Sequence, residues 1–167
     1  MWILGSGGLA EHYYPNDDPD LTIGSQVNWT LGVYNHMGGL QYVVLEVKLL
    51  NSTLKSPDEL TSLPSDARPI FEFSRVLLYN ETWTVPFLWI ILQANQTAGS
   101  LTLTRISLNG NMLTGQLVEA TSGYNFRFVF ELWSYDEAAN DLLFSWRTGS
   151  GQRSVWTQIW FNATTTR

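Results

Sequence analysis

The chain has 167 residues and a net charge of −6, and 44% of its residues are hydrophobic, 14% aromatic and 14% charged. This length suits one domain with a substantial hydrophobic core, so we expect a single domain over residues 1–167. With two Lys, seven scattered Arg and no Cys, the composition argues against a nucleic-acid surface and excludes disulfides, thiolate metal sites and a cysteine nucleophile.

Apolar and polar side chains alternate along much of the chain, which is the period of a half-buried β-strand. The clearest alternation covers 27–34, 43–49 and 124–132, and further strands are predicted at 70–79, 82–93, 101–108, 112–119, 142–147 and 155–161. We expect one set of residues to face the core: Val27, Trp29, Leu31, Val33, Phe126, Phe128 and Phe130. Both faces of 82–93 are apolar, so this strand is either buried on both sides or carries a contact surface.

Turn signals separate these strands. Asn109-Gly110 predicts a two-residue hairpin turn, because both residues tolerate positive φ. Longer turns are predicted at 35–39 and 149–151. The one helix signal lies at 57–63, where Ser56 precedes a proline and acidic residues fill the first turn. This pattern predicts an all-β chain, an antiparallel β-sandwich of the immunoglobulin-like or jelly-roll-like kind with about eight to ten strands.

Five Asn-X-Thr triplets fit the acceptor pattern for N-linked glycosylation, and they begin at Asn28, Asn51, Asn80, Asn95 and Asn162. Random placement of the Asn and Thr of this chain gives roughly one such triplet. Each acceptor lies on a strand face opposite the apolar residues, at a strand end or in a loop. We therefore expect N-linked glycans, first of all at Asn28, Asn80 and Asn95. The alternative is that Thr-rich strands and Asn-rich turns produce triplets by composition alone.

Short motifs along most of the chain resemble those of one family. They are Trp2-Ile3-Leu4-Gly5 with Gly8, Tyr14-Pro15, Ile23-Gly24, Gly32-Val33-Tyr34-Asn35-His36, Tyr42-Val43-Val44, Asn80-Glu81-Thr82-Trp83 and Leu142-Leu143-Phe144. In this order they are similar to the extracytoplasmic C-terminal part of archaeal predicted membrane proteins, the domain of unknown function 1616 family. The resemblance implies a membrane-tethered β-sandwich that faces outward, and it brings no known catalytic residues.

Two groups of apolar residues are candidate contact surfaces. Trp2, Ile3 and Leu4 precede a glycine-rich stretch, and such a segment can complete the sheet of a neighbouring molecule. We expect it to dock on its own domain, because burying three such side chains is worth on the order of 5 kcal/mol and the route back is short. Trp156 and Trp160 lie opposite the apolar face of their strand, where they could stack on sugars.

The acidic run near the N-terminus holds His12, Asp17, Asp18 and Asp20. These side chains offer donor atoms for a cation, but the run lacks the glycine and the distal glutamate of a calcium loop. We therefore expect a solvated turn, with no metal and no cofactor.

Three glutamates, Glu46, Glu72 and Glu131, stand singly on predicted strands and could share a face, as the two carboxylates of a glycosidase do. We expect them on the solvated side together with Lys48, so that replacing each glutamate by Gln changes little. No Gly-X-Ser-X-Gly elbow and no phosphate-binding loop accompanies them. No catalytic residue is predicted.

These features favour a non-catalytic, N-glycosylated extracytoplasmic domain of an archaeal cell-envelope protein, with a structural, adhesive or surface-binding role. Its expected partners are N-linked glycans and other cell-surface proteins or copies of itself, and it would meet the membrane only through a segment absent from this chain. One alternative is a subunit of an extracellular filament assembled by strand exchange. A more remote one is a carbohydrate-binding or carbohydrate-acting protein.

Overall fold

The computed structural model of the chain describes residues 1–148 and 151–165. The strands of this part, in chain order, are β1 (Trp2–Leu4), β2 (Asp20–Thr22), β3 (Gln26–Tyr34), β4 (Gln41–Leu50), β5 (Phe71–Leu77), β6 (Thr82–Thr97), β7 (Ser100–Leu108), β8 (Asn111–Thr121), β9 (Phe126–Asp136), β10 (Asp141–Leu143), β11 (Ser145–Thr148) and β12 (Gly151–Thr164). Two short 3-10 turns, Ser6–Gly8 and Pro15–Asp17, precede β2. In the described ranges, no helix has the length and apolar character needed to cross a membrane.

The strands form two sheets that pack face to face. The first has the order β1-β3-β6-β7-β8, and the second has the order β11-β12-β9-β4-β5, with β10 attached to β9 and β2 attached to β12. Neighbouring strands run antiparallel, except that β2 pairs with β12 in parallel. The all-β, sandwich-like fold predicted from the alternation is confirmed.

Aromatic side chains from both sheets fill the space between them. Trp29 and Phe87 of the first sheet meet Phe128 of the second, with ring centroids 5.9 and 5.4 Å apart, and Phe87 also lies 5.2 Å from Phe130. The seven residues predicted to face the core are each at most 2% exposed. Aromatic burial on this scale accounts for much of the stability of the fold, since each such ring buries about 150–250 Å².

Both faces of β6 are apolar in sequence, so the strand was expected either to be buried on both sides or to carry a contact surface. Trp83, Phe87 and Ile91 are buried between the sheets, whereas on the other face Leu92 is 36% exposed and Leu88 and Ile90 are half-buried. Strand β6 is central within its sheet but is covered by protein mainly on one side.

The structure departs from the strand prediction in two places, which also change the number of strands. Strand β2 was not predicted, because its three residues follow a Pro-rich turn and are too few to show a period. The predicted strand at 142–147 is two shorter strands, β10 and β11. With β1, these short strands raise the number in the described ranges to twelve, above the predicted eight to ten.

The turn at Asn109-Gly110 is confirmed, since both residues have positive φ, 45° and 81°, and Leu108 pairs with Asn111 across it. The turn at 35–39 also joins β3 to β4 as predicted. Of the third predicted turn, Gly149 and Ser150 lie outside the described residues.

The helix predicted at 57–63 is wrong. The Oδ1 of Asp58 accepts hydrogen bonds from the backbone N–H groups of Leu60 and Thr61, as a helix N-cap does, but the chain continues as a turn and Asp58 pairs with Leu63 in an antiparallel bridge. The backbone N–H of Asp58 then bonds to the carbonyl of Leu63 at 3.0 Å. The expected cap, Ser56, instead accepts a hydrogen bond from Arg127 at 3.0 Å.

Candidate functional site

The connection between β4 and β5, residues 51–70, folds over the outer face of the second sheet. We call its central part, residues 52–69, the covering segment. Beneath it, Lys48 is 3% exposed and Glu131 is fully buried. Both were predicted on the solvated side, and that prediction is wrong because alternation along a strand does not tell whether a loop covers its outer face.

The buried charges are paired and hydrogen-bonded. Lys48 Nζ donates to Glu131 Oε2 at 2.7 Å and to the carbonyl oxygen of Ser65 at 3.2 Å. The backbone N–H and the hydroxyl of Ser65 donate to Glu131 Oε1 at 3.0 and 2.6 Å. Both carboxylate oxygens are therefore occupied, and the network ties the covering segment to β4 and β9.

The three glutamates considered as catalytic candidates lie in one row across adjacent strands. Glu46 is opposite Glu131 on one side and opposite Glu72 on the other. Only Glu72 is exposed, and Glu46 also lies 3.2 Å from Lys48. Burial raises the pKa of Glu46 above its ordinary value of 4.5; the ammonium of Lys48 opposes this rise, and the neighbouring carboxylates add to it.

The raised pKa of Glu46 gives a prediction for Glu46→Gln. The folded chain holds the Glu46 proton to a higher pH than the unfolded chain does, so ionisation of Glu46 costs stability as the pH rises above about 4, where the carboxyl of the unfolded chain ionises. We therefore expect wild-type stability to fall relative to Glu46→Gln over this range. Urea unfolding of both proteins at several pH values measures the difference, with Glu119→Gln, at an exposed position of β8, as control. A difference that is constant, or that changes in the opposite direction, contradicts the assignment.

The two candidate surface aromatics lie on the outer face of the second sheet, as predicted from their parity. Trp160 is 38% exposed, and the Arg127 guanidinium lies 4.5 Å from its ring centroid. Arg127 also donates to Gln158 Oε1 and to the Leu54 carbonyl oxygen. Trp156 is half-buried and lies opposite Glu131. Trp160 thus packs on a buried cation next to the covering segment, which leaves part of its ring in solvent.

The N-terminal segment pairs within its own chain. Trp2, Ile3 and Leu4 lie opposite Gly32, Leu31 and Thr30 of β3. Ile3 packs against the core, and Tyr13 donates a hydrogen bond to the Ile3 carbonyl at 3.3 Å.

The five glycosylation candidates fall into two groups. Asn28, Asn80 and Asn95 are exposed, and among the hydrogen bonds of the described residues none engages their Nδ2 atoms. Asn51 and Asn162 are half-buried, and each is held at both ends of its amide.

The amide groups of Asn51 and Asn162 have structural roles. Asn51 Nδ2 donates to the Glu119 carbonyl at 2.7 Å, and its Oδ1 accepts from Thr53. Asn162 Nδ2 donates to Asp20 Oδ1 at 2.6 Å, and its Oδ1 accepts from the Asn125 N–H. In both residues, the nitrogen that would carry a sugar is already hydrogen-bonded in the fold.

Asn35 is a structural residue that the sequence analysis did not single out. It is 4% exposed, and its Nδ2 donates to the carbonyls of Gly39, Leu77 and Leu78 at 2.8–3.1 Å. Its backbone groups bond to Glu81 and Asn80. The side chain thereby joins the β3–β4 turn to the β5–β6 turn, and an Asn at the end of a strand was the only available signal.

A groove of about 910 Å³ opens beside these turns and residues of β9, β10 and β11. Aromatic rings line it, and Gln41, Ser134 and Gln152 add neutral polar groups. The exposed fractions of Tyr34, Tyr42 and Tyr135 are 43, 40 and 39%. Asp136 and Glu137 are its acidic residues, and no Lys, Arg or His is among its described lining residues. Such a surface suits a neutral ligand with both hydroxyl groups and an apolar face.

The side chains of the acidic run near the N-terminus do not come together at one site. His12 Nδ1 lies 2.9 Å from Asp17, and this hydrogen bond and the charge of Asp17 raise the pKa of His12. Asp18 accepts from the backbone of Asp20, while Asp20 bonds to Asn162. Within the described residues, no group of three or more His, Asp or Glu is placed to hold a metal ion.

Comparisons with known proteins add no assignment. A scan against models of protein families finds no match, and a search of the curated proteins finds no similar chain. The resemblance to the domain of unknown function 1616 family therefore stays a prediction that depends on short motifs.

Proposed function

We propose that this chain is a non-catalytic, N-glycosylated domain that faces outward from the archaeal cell envelope, with a structural, adhesive or surface-binding role. The observation that supports it best is that Asn28, Asn80 and Asn95 are exposed and that no hydrogen bond of the described residues engages their amide nitrogens. A glycan replaces one N–H of the amide and needs open space around it, and these three side chains offer both. The low content of charged residues and the family resemblance agree with this role.

The absence of catalysis is part of the proposal. Two carboxylates must reach a substrate from opposite sides of a bond for glycoside hydrolysis. Glu131 is fully buried and both of its oxygens are hydrogen-bonded to Ser65 and Lys48. Glu46 is 17% exposed in its side chain and paired with Lys48. Both carboxylates therefore face donors of the protein, and neither is placed to attack a substrate.

Glycan occupancy tests the proposal directly. We expect protein purified from its native host to be heavier than the bare chain, with Asn28, Asn80 and Asn95 occupied more fully than Asn51 and Asn162. The reason is that a glycan at either of the latter sites disturbs a hydrogen bond that the fold uses. Intact-mass measurement followed by glycopeptide mapping checks both statements. A native mass equal to that of the bare chain would contradict the proposal.

The filament alternative rests on β1, which is a three-residue strand at the edge of its sheet. The pairing of β1 with β3 of the same chain supports docking within the chain.

Carbohydrate binding is the second candidate function, and the aromatic groove is the observation that favours it. Titration with neutral oligosaccharides would reveal binding that is lost in Tyr42→Ala and kept in Tyr124→Ala. Tyr124 is a fair control because it is 51% exposed and is not among the groove residues.

A further inference from the structure

A stacked pair of aromatic rings lies on the surface beside one glycosylation candidate. Tyr34 ends β3, and its ring lies 5.8 Å from that of His36, with an angle of 21° between the planes. The hydroxyl of Tyr34 donates to Asn80 Oδ1 at 2.8 Å. Because both amide atoms are bonded to one carbon, Asn80 Nδ2 lies within about 5 Å of this hydroxyl. A sugar on Asn80 therefore starts next to the ring pair.

The backbone fixes the position of Asn80. Its φ is 62°, and the turn around it is closed by the hydrogen bond from Glu81 N–H to the Leu78 carbonyl at 3.0 Å. Asn80 and Glu81 also exchange backbone hydrogen bonds with buried Asn35, at 2.8 and 2.9 Å. A sugar attached here has few orientations, because the turn and the side chain that carry it are both held.

We propose that the first sugar of the Asn80 glycan packs against the Tyr34–His36 ring pair and so stabilises the fold. The inference rests on the proposed function, since it requires glycosylation at Asn80. One face of a pyranose ring presents C–H groups, and aromatic rings attract polarised hydrogens to their faces. Packing of the sugar removes apolar ring surface of the half-exposed Tyr34 from water. Tyr34 also lines the groove, so the glycan stands at the groove's rim.

Asn95 provides the matched comparison. It is also exposed, but it lies on β6 opposite Thr102 and beside Gln96 and Thr97. A sugar there meets small polar side chains in place of two stacked rings. We therefore expect the Asn95 glycan to add little to stability.

The test removes each glycan both in protein that has the Tyr34–His36 ring pair and in protein that lacks it. Thr82→Val abolishes the Asn80 triplet and leaves the Asn80–Tyr34 hydrogen bond in place, whereas Asn95→Gln abolishes the control triplet. In glycosylated protein, Thr82→Val should lower Tm by about 3 °C, the shift typical of one aromatic contact in a chain of this size. In the Tyr34→Ala background the same change should have almost no effect. The same variants made without glycosylation give the intrinsic effect of each substitution.

The outcomes separate the inference from the proposed function. Absence of glycan from every triplet overturns both. A glycan on Asn28 and Asn95 but not on Asn80 leaves the proposed function standing and overturns the inference. The inference also fails if Asn80 is occupied and Thr82→Val lowers Tm equally with Tyr34 present and absent.

Discussion

Glu131→Gln should lower the free energy of unfolding by about 3 kcal/mol, since breaking a buried ion pair typically costs about 3–5 kcal/mol. The loss follows from the donors around the side chain. Lys48 Nζ and the Ser65 N–H point at different oxygens of Glu131. A glutamine supplies only one carbonyl oxygen, so in either orientation its NH₂ group faces one of these donors. One buried donor is left without its partner.

Thermal and urea unfolding measure this loss, and the expected fall in Tm is about 6–12 °C. The control is Glu72→Gln, a change of the same chemistry in the same row of glutamates. Glu72 is exposed on an edge strand, so its replacement should stay within about 0.5 kcal/mol. Equal, small effects of the two substitutions would contradict the role given to the buried pair.

The double variant Lys48→Met, Glu131→Leu gives an independent check. Lys48→Met alone leaves the buried carboxylate of Glu131 without its cation, so the double variant should be more stable than Lys48→Met. The double variant nevertheless loses the hydrogen bonds that Ser65 donates to Glu131. Amide hydrogen exchange should therefore speed up in the covering segment, residues 52–69, while exchange in the core strands changes less.

The inner faces of both sheets were predictable because alternation reports directly on a shared core. Val27, Trp29 and Phe126 lie at inward positions flanked by polar residues, and each is at most 1% exposed. Successive side chains of a strand point to opposite faces, so a strand predicted in the correct phase has all of its inward residues predicted correctly. This is why the strands and their inward residues were confirmed together.

The outer face of the second sheet was not predictable in the same way. Lys48 and Glu131 have the outward parity, which is normally the solvated side, and nothing in the period shows a loop folding back over it. A weak signal did exist, since Leu50 and Val129 share this outward parity and are both buried. Apolar residues on the face opposite the core indicate a second buried layer. Which loop supplies it depends on contacts far apart in sequence.

For the glycosylation candidates, the sequence predicted which side chains face away from the core. The structure added which amide nitrogens are already hydrogen-bonded. Asn162 has outward parity, as predicted, yet its amide joins Asp20 to Asn125. The contact to Asp20 requires β2, whose three residues are too few to predict. Exposure at Asn28 and Asn80, in contrast, follows from strand parity and turn position. Asn95 lies within β6, after a β-bulge near Gln93 that changes which side chains of the strand face outward.

Gly32→Ala should destabilise the monomer by about 2 kcal/mol, within the usual cost of overpacking. Gly32 lies directly opposite Trp2, and a Cβ added to Gly32 would overlap the Trp2 indole ring. The ring must move, and β1 loses its fit on β3. Gly39→Ala is the matched control, because a Cβ at Gly39 meets nothing within 4 Å. Urea unfolding of the two variants measures the difference.

The Trp2→Ala background shows whether the cost comes from this overlap. Without the indole ring, Gly32→Ala should cost almost nothing, because the two changes share one space and so are not additive. A cost that persists in this background would place the effect in β3 itself.

The same variants decide between docking within the chain and strand exchange between chains. A segment docked on its own sheet gives a Tm that is independent of protein concentration, whereas exchange between molecules gives a Tm that rises with concentration. We expect the wild-type chain to remain monomeric with a constant Tm, and Gly32→Ala to lower that Tm at every concentration. If wild type instead forms fibres and Gly32→Ala yields only monomers, the Trp2 that packs on Gly32 comes from a neighbouring molecule. The filament function would then replace the one proposed here.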